Sequence, residues 1–89
     1  MAKFYLIGKI SKDLMERMQK DPSADRYEST KKVTEAAGAK MISYEWVRGR
    51  FDVISCVEGE FEAVVGLKIA FKNSGLMEDL MIHEVIDYN

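Results

Sequence analysis

The sequence has 89 residues, of which 13 are basic and 15 acidic, for a net charge of −2, and it has one cysteine. This length predicts a single domain, 1–89, with a thin core that a second copy can extend. The acidic balance disfavours a nucleic-acid surface, one cysteine excludes an internal disulfide, and no apolar run reaches the ~20 residues that span a membrane. With no signal peptide visible at its start, we expect a cytoplasmic protein.

The first half of the chain predicts one strand and two helices. An aromatic and β-branched run predicts strand one over 4–10. Ser11 provides an N-cap oxygen for a short helix over 12–19. Asp-Pro ends that helix and begins another over 21–37, which Gly38 terminates. The predicted apolar stripe of this second helix comprises Tyr27, Thr30, Val33, Ala36 and Ala37.

The second half predicts a hairpin, a helix and a last strand. Strands over 40–47 and 51–57 are joined by a tight turn at 48–50. A helix over 60–74 and a strand over 80–88 follow. The predicted buried side of that helix comprises Phe61, Val64, Val65, Leu67, Ala70 and Phe71. The order β-α-β-β-α-β predicts a ferredoxin-like α+β fold, with a four-stranded antiparallel sheet and helices on one face.

Side-chain alternation divides the hairpin into two faces when its turn has two residues. The first face is nearly all apolar or aromatic and comprises Ile42, Tyr44, Trp46, Phe51, Val53, Ser55 and Val57. The second face is mixed and comprises Met41, Ser43, Glu45, Val47, Asp52, Ile54, Cys56 and Glu58. The other two strands also keep apolar residues on both faces. Because helices cover only one face, the pattern predicts a homodimer through the mixed face.

The segment Trp46–Ile54 resembles the signature of the GYD-domain family, in which an aromatic-containing strand precedes Gly-x-Tyr-Asp and an apolar strand. An opening strand that ends in Gly-Lys-Ile-Ser, a helix that closes with Ala-Ala-Gly-Ala and an Asn-Ser-Gly break extend the resemblance over most of the chain. Phe51 replaces the tyrosine of the family, so a role of that phenol hydroxyl does not transfer. The resemblance implies a dimeric α/β barrel, an architecture that also serves cofactor-free monooxygenases, a lactone isomerase and haem-degrading enzymes.

Two polar residues are candidates for catalysis. His83 is the only histidine, and its imidazole can accept or donate a proton near neutral pH, although no orienting partner is visible beside it. The alternative is a half-exposed strand residue. Asp52 is a candidate base or polar-ligand group. A structural role, in which it pairs with Arg48 or Arg50 or accepts backbone N–H groups of the turn, is favoured for Asp52.

Three aromatic residues are candidates for ligand binding. Tyr44, Trp46 and Phe51 share a predicted face, where planar ligands can stack in a pocket between sheet and helices. Plain core packing is the alternative. The sequence contains no Gly-rich phosphate loop, Cys-x-x-Cys pair or His-Glu-x-x-His motif, and we therefore expect no metal site and no cofactor.

Three functions are compatible with these features. We favour a small dimer that binds an apolar or aromatic molecule in the pocket between sheet and helices. The first alternative is a cofactor-independent oxygenase or isomerase in which His83, helped by Asp52 or a tyrosine, moves protons. The second is a structural or regulatory module that recruits another protein through the edge of strand two.

Overall fold

The computed structural model describes residues 2–88, which form a four-stranded antiparallel sheet with helices on one face. The elements in chain order are β1 (Ala2–Ile10), α1 (Lys12–Lys20), α2 (Arg26–Ala36), β2 (Lys40–Trp46), β3 (Val53–Gly59), α3 (Phe61–Asn73) and β4 (Met77–Glu84). The strand order is β2-β3-β1-β4. The predicted ferredoxin-like α+β fold is confirmed, with α1 and α2 together occupying the first crossover.

β3 and β4 occupy different residues from those predicted, because their partner β1 sets their bounds. β1 pairs with β3 from Ala2 opposite Gly59 to Gly8 opposite Val53. β3 therefore covers 53–59 rather than 51–57. On its other side, β1 pairs with β4 from Phe4 opposite Glu84 to Ile10 opposite Met77. β4 therefore covers 77–84 rather than 80–88, a shift that the apolar pattern of the last residues does not indicate.

The hairpin keeps most of the predicted side-chain faces but has a wider connection than predicted. Trp46 pairs with Val53, and the backbone N–H of Val47 donates to the carbonyl of Asp52 at 2.8 Å. Residues 48–51 lie outside this ladder, so the predicted tight turn at 48–50 is wrong. The register nevertheless places the first of the two predicted faces, including Tyr44 and Trp46, under the helices.

A β-bulge in β2 reverses the predicted faces of two residues. The pairing with β3 shifts between Met41 and Ser43, so that Met41 lies opposite Val57. Met41 is only 9% exposed, whereas Ile42 is 44% exposed. A bulge inserts one unpaired residue, so residues before it point to the opposite face from the one that strict alternation predicts. The prediction of Ile42 on the covered face and Met41 on the mixed face is therefore wrong.

α2 begins later than predicted. Pro22 lies in a turn, and the helix starts at Arg26, after Asp25. The Asp25 carboxylate accepts a hydrogen bond of 2.9 Å from the backbone N–H of Glu28, which satisfies a donor that the first helical turn leaves free. A helix can accommodate proline in its first turn, but here the helix begins after the Asp25 cap instead of at Pro22.

The buried side of α2 also differs from the predicted stripe. Thr34 is fully buried, whereas Tyr27 and Val33 are exposed. Burial of Thr34 is tolerated because its hydroxyl donates to the carbonyl of Thr30 at 2.8 Å. Gly38 ends this segment with a φ of 91°, a left-handed conformation that favours glycine, as predicted.

The core lies between the sheet and α3. Its buried cluster comprises Phe4, Leu6, Val57, Val64, Leu67 and Leu80. Phe61, predicted to be buried, is exposed, although its ring still lies 6.0 Å from that of Phe4. α3 has 13 residues, and no helix of the described chain is long and apolar enough to cross a membrane.

The sheet surface that faces away from the helices, here called the open face, carries mixed residues in cross-strand rows. One row across the four strands comprises Ser43, Cys56, Tyr5 and His83. The next row comprises Glu45, Ile54, Ile7 and Met81. Cys56 is a buried free thiol, as a lone cysteine in an apolar run predicts. Tyr5 remains 43% exposed, so the open face keeps apolar area in contact with solvent.

Candidate ligand-binding site

A cavity of about 170 Å³ lies between the helices and the covered face of the sheet. The sheet contributes Leu6, Ile10, Val53, Ser55 and Leu80 to its lining. The helices contribute Leu14 from α1, Val33 and Thr34 from α2, and Phe71 from α3. The walls are therefore mainly apolar, as in most small-molecule sites.

The opening of the cavity is formed by Arg26, Tyr44 and Trp46. These three residues line both the cavity and a second, more open depression that adjoins it. Trp46 is 39% exposed and Tyr44 is half-buried, as expected of residues between an interior space and solvent. A molecule that enters from this side passes two aromatic rings and one guanidinium group.

The aromatic rings at the opening form a series of edge-to-face contacts. The ring centroids of Tyr27 and Tyr44 are 5.8 Å apart with planes at 83°, and those of Tyr44 and Trp46 are 6.1 Å apart at 85°. This geometry is favoured for aromatic pairs. The structure thus brings together Tyr44 and Trp46, two of the three predicted ligand-binding residues. Phe51 lies half-buried in the connection between β2 and β3 and does not line the cavity.

Ser55 provides an unusual polar group at the sheet side of the cavity. It lies on β3 and is 6% exposed, and its buried hydroxyl oxygen has no hydrogen-bond partner among residues 2–88. An unpaired buried polar group costs about 1–3 kcal/mol. By contrast, the hydroxyl of Thr34 in the same lining is already paired with Thr30. Sequence reasoning assigned Ser55 no role, although a serine between Val53 and Val57 on an apolar face was the available signal.

Arg26 is the second polar group that sequence reasoning missed. It is the first residue of α2, and its Nη1 donates to the backbone carbonyls of Asp21 and Ala24, at 3.2 Å each. These bonds hold the guanidinium beside the opening. No pattern in the sequence indicated this position, because it depends on where α2 begins and on how α2 packs against β2.

Asp52 has the structural role that the sequence favoured. Its carboxylate accepts a hydrogen bond of 2.9 Å from the backbone N–H of Ile10, and its own N–H donates to the carbonyl of Gly8 at 2.9 Å. The partners are thus in β1 rather than in the turn. Asp52 is not among the residues that line the cavity.

His83 lies on the opposite side of the sheet from the cavity. It is exposed on the open face and pairs with Tyr5 of β1. The structure brings it together with neither Asp52 nor the aromatic residues of the opening, so proton transfer by His83 in the cavity lacks geometric support. Among residues 2–88, no three His, Cys, Asp or Glu side chains gather as ligands of one metal ion.

Comparisons with known proteins identify solved structures of similar fold. No family model matches the chain, and no curated protein matches it. The structure of FFRP-DM1 is similar over 97% of this chain and 100% of its own, with 13% identity and a TM-score of 0.54. Hypothetical protein PHS023 from Pyrococcus horikoshii is similar over 97% of this chain and 90% of its own, with 13% identity and a TM-score of 0.53. At this identity the likeness establishes the ferredoxin-like fold alone.

Proposed function

We propose that this protein binds a small, mainly apolar molecule in the cavity between its helices and the covered face of the sheet. The observation that carries the proposal is the hydroxyl of Ser55, which has no hydrogen-bond partner within residues 2–88 and is buried in the lining of a mainly apolar cavity. A polar group left unpaired in the interior lowers stability, and a ligand that pairs with it recovers the loss.

The size and access of the cavity support the same function. Its volume is about 170 Å³, and an engineered apolar cavity of about 150 Å³ holds benzene. Trp46 and Tyr44 at the opening offer ring edges and faces to a planar ligand. A molecule built on one aromatic ring therefore matches both the space and its surroundings.

The proposal is tested with neutral single-ring probes such as phenol and indole. Trp46 is the only tryptophan, so its fluorescence reports occupation of the opening directly. We expect saturable changes in Trp46 fluorescence, together with a rise in the melting temperature that grows with probe concentration. Isothermal titration calorimetry gives the stoichiometry, expected to be one probe per chain.

A cavity-filling variant provides the control. Ser55→Leu places a larger apolar side chain in the cavity and removes the unpaired hydroxyl, so we expect a more stable protein that no longer binds the probes. Ser43→Leu makes the same change on the open face and should leave binding intact. Probe binding that survives Ser55→Leu, or a native protein that binds no probe, contradicts the proposed function.

We further propose that two copies of the chain associate through their open faces. Ile7, Ile54 and Met81 form adjacent positions of one row, beside the exposed ring of Tyr5. The same surface carries charges of both signs, Lys3 opposite Glu58 and Lys9 opposite Asp79, which suits self-association in an antiparallel arrangement. Resemblance to the GYD-domain family, itself a proposal, supports the same dimeric barrel.

A further inference from the structure

The polar groups of the cavity define the class of ligand, on the premise that the cavity binds a small molecule. We propose that the ligand is a small carboxylic acid with a body of about one aromatic ring. Its carboxylate binds Arg26 at the opening, and a polar atom at its far end hydrogen-bonds the hydroxyl of Ser55.

The guanidinium of Arg26 is available for an anion. Its Nη1 donates hydrogen bonds to the backbone carbonyls of Asp21 and Ala24. Within residues 2–88 it forms no ion pair with a carboxylate, and these two bonds leave others of its five N–H groups unused. Arginine binds carboxylates through two parallel hydrogen bonds, which set the orientation of the carboxylate and increase its affinity.

The charge at the opening selects a monoanion. Among residues 2–88, Arg26 is the one charged residue that lines the cavity, and its neighbours at the opening are the rings of Tyr44 and Trp46. Asp25 lines the adjoining depression, and its carboxylate already accepts a hydrogen bond from the backbone N–H of Glu28. One guanidinium neutralises one carboxylate, whereas a phosphate would keep part of its charge against aromatic surface. A protonated amine at the same position would be repelled by the positive charge of Arg26.

The interior of the cavity selects the rest of the molecule. Leu6, Val33, Phe71 and Leu80 provide apolar walls for the ring. The hydroxyl of Ser29 already donates to the carbonyl of Asp25 at 3.0 Å, so it is not in need of a partner. The hydroxyl of Ser55 lacks a hydrogen-bond partner within residues 2–88, and a hydroxyl or carbonyl group on the ring of the ligand provides that partner.

The test compares matched probes by calorimetry and by Trp46 fluorescence: 3-phenylpropionate, 3-phenylpropanol, 3-phenylpropylamine and 3-(4-hydroxyphenyl)propionate. We expect the acid to bind about 10- to 100-fold more tightly than the alcohol, and the amine to bind most weakly. The ring hydroxyl should increase affinity by a further several-fold, roughly the effect of one hydrogen bond.

Three variants and one control variant assign these preferences to residues. Arg26→Gln should remove the preference for the acid, and Arg26→Lys, which keeps the charge but not the paired geometry, should retain part of it. Ser55→Ala should remove the gain from the ring hydroxyl and leave the preference for the acid. Arg50→Gln, a change in the exposed connection between β2 and β3, should alter neither.

The outcomes separate the ligand class from binding itself. Equal affinity for acid and alcohol, or an acid preference that survives Arg26→Gln, overturns the carboxylic-acid assignment while leaving a cavity that binds small molecules. A ring-hydroxyl gain that survives Ser55→Ala overturns the second contact. Failure of every probe, including the neutral ones, overturns the proposed function and this inference with it.

Discussion

Asp52 connects the loop between β2 and β3 to the end of β1 through both its side chain and its backbone. Its carboxylate accepts from Ile10, its N–H donates to Gly8, and its carbonyl accepts from Val47. A single residue thus joins three segments at the point where β1 leaves the sheet. The choice of aspartate is explained by this position, because a carboxylate makes a stronger hydrogen bond than a neutral acceptor.

We expect Asp52→Ala to lower the free energy of unfolding by about 1–3 kcal/mol, because it leaves the backbone N–H of Ile10 without its acceptor. Asp52→Asn should lose less, since the amide oxygen can still accept. Urea denaturation followed by circular dichroism measures both. Glu35→Ala, an exposed change on α2, should stay within about 0.5 kcal/mol of the parent protein. An Asp52→Ala protein as stable as that control contradicts the structural role.

At the scale of elements, the bulge in β2 decides which side chains reach the core. Without it, the strict alternation of a strand places Ile42 under the helices and Met41 on the open face. With it, Met41 is buried in the position opposite Val57, and Ile42 is exposed to solvent. The bulge lies next to the edge of the sheet, where the unpaired groups of β2 are exposed. Bulges of this kind twist edge strands and hinder pairing with other chains.

Because of the bulge, we expect substitutions of the neighbouring residues Met41 and Ile42 to have different effects on the free energy of unfolding. Met41→Ala should lower the free energy of unfolding by about 2–3 kcal/mol, since it empties a buried position. Ile42→Ala should cost less than about 1 kcal/mol, because half of that side chain is already in water. Chemical denaturation of the two variants gives the comparison. Equal losses, or a larger loss at Ile42, would mean that β2 runs without the bulge.

At the scale of the whole molecule, the cavity and the open face lie on opposite sides of one sheet. The cavity is lined by residues of a single chain. Ligand binding and self-association are therefore separable, and each can be removed without the other. The oxygenase or isomerase alternative needs His83 near the cavity, and its position on the open face leaves that alternative without support.

For the proposed dimer we expect light scattering of the native protein to give about twice the mass of one chain. Ile54→Lys, in the apolar row of the open face, should give the mass of one chain, because it places a charge where the two faces meet. Ile69→Lys, on the exposed side of α3, serves as the matched control and should remain dimeric. The Ile54→Lys monomer should still bind the ring probes. A native protein that is monomeric at micromolar concentration contradicts the dimer.

The sequence by itself determined the fold class and the faces of most residues of the hairpin. The alternation of strand residues, the periodicity of helix residues and the terminating Gly38 are local signals. They depend on residues close together in the sequence, so they can be interpreted without knowledge of the tertiary structure. The same alternation placed Tyr44 and Trp46 on one covered face, which the cavity lining confirms. Their third predicted companion, Phe51, depended on a tight turn that the chain does not make.

Only the tertiary structure decided the polar features of the candidate site. Among residues 2–88 the buried hydroxyl of Ser55 has no hydrogen-bond partner, and Arg26 borders the opening because Asp25 caps the start of α2 there. Both depend on packing between elements far apart in the chain. A serine on an apolar strand face was the available signal for Ser55, but it does not show whether the hydroxyl has a partner. The bounds of β3 and β4 likewise follow from pairing with β1, since a strand extends as far as its partner provides hydrogen bonds.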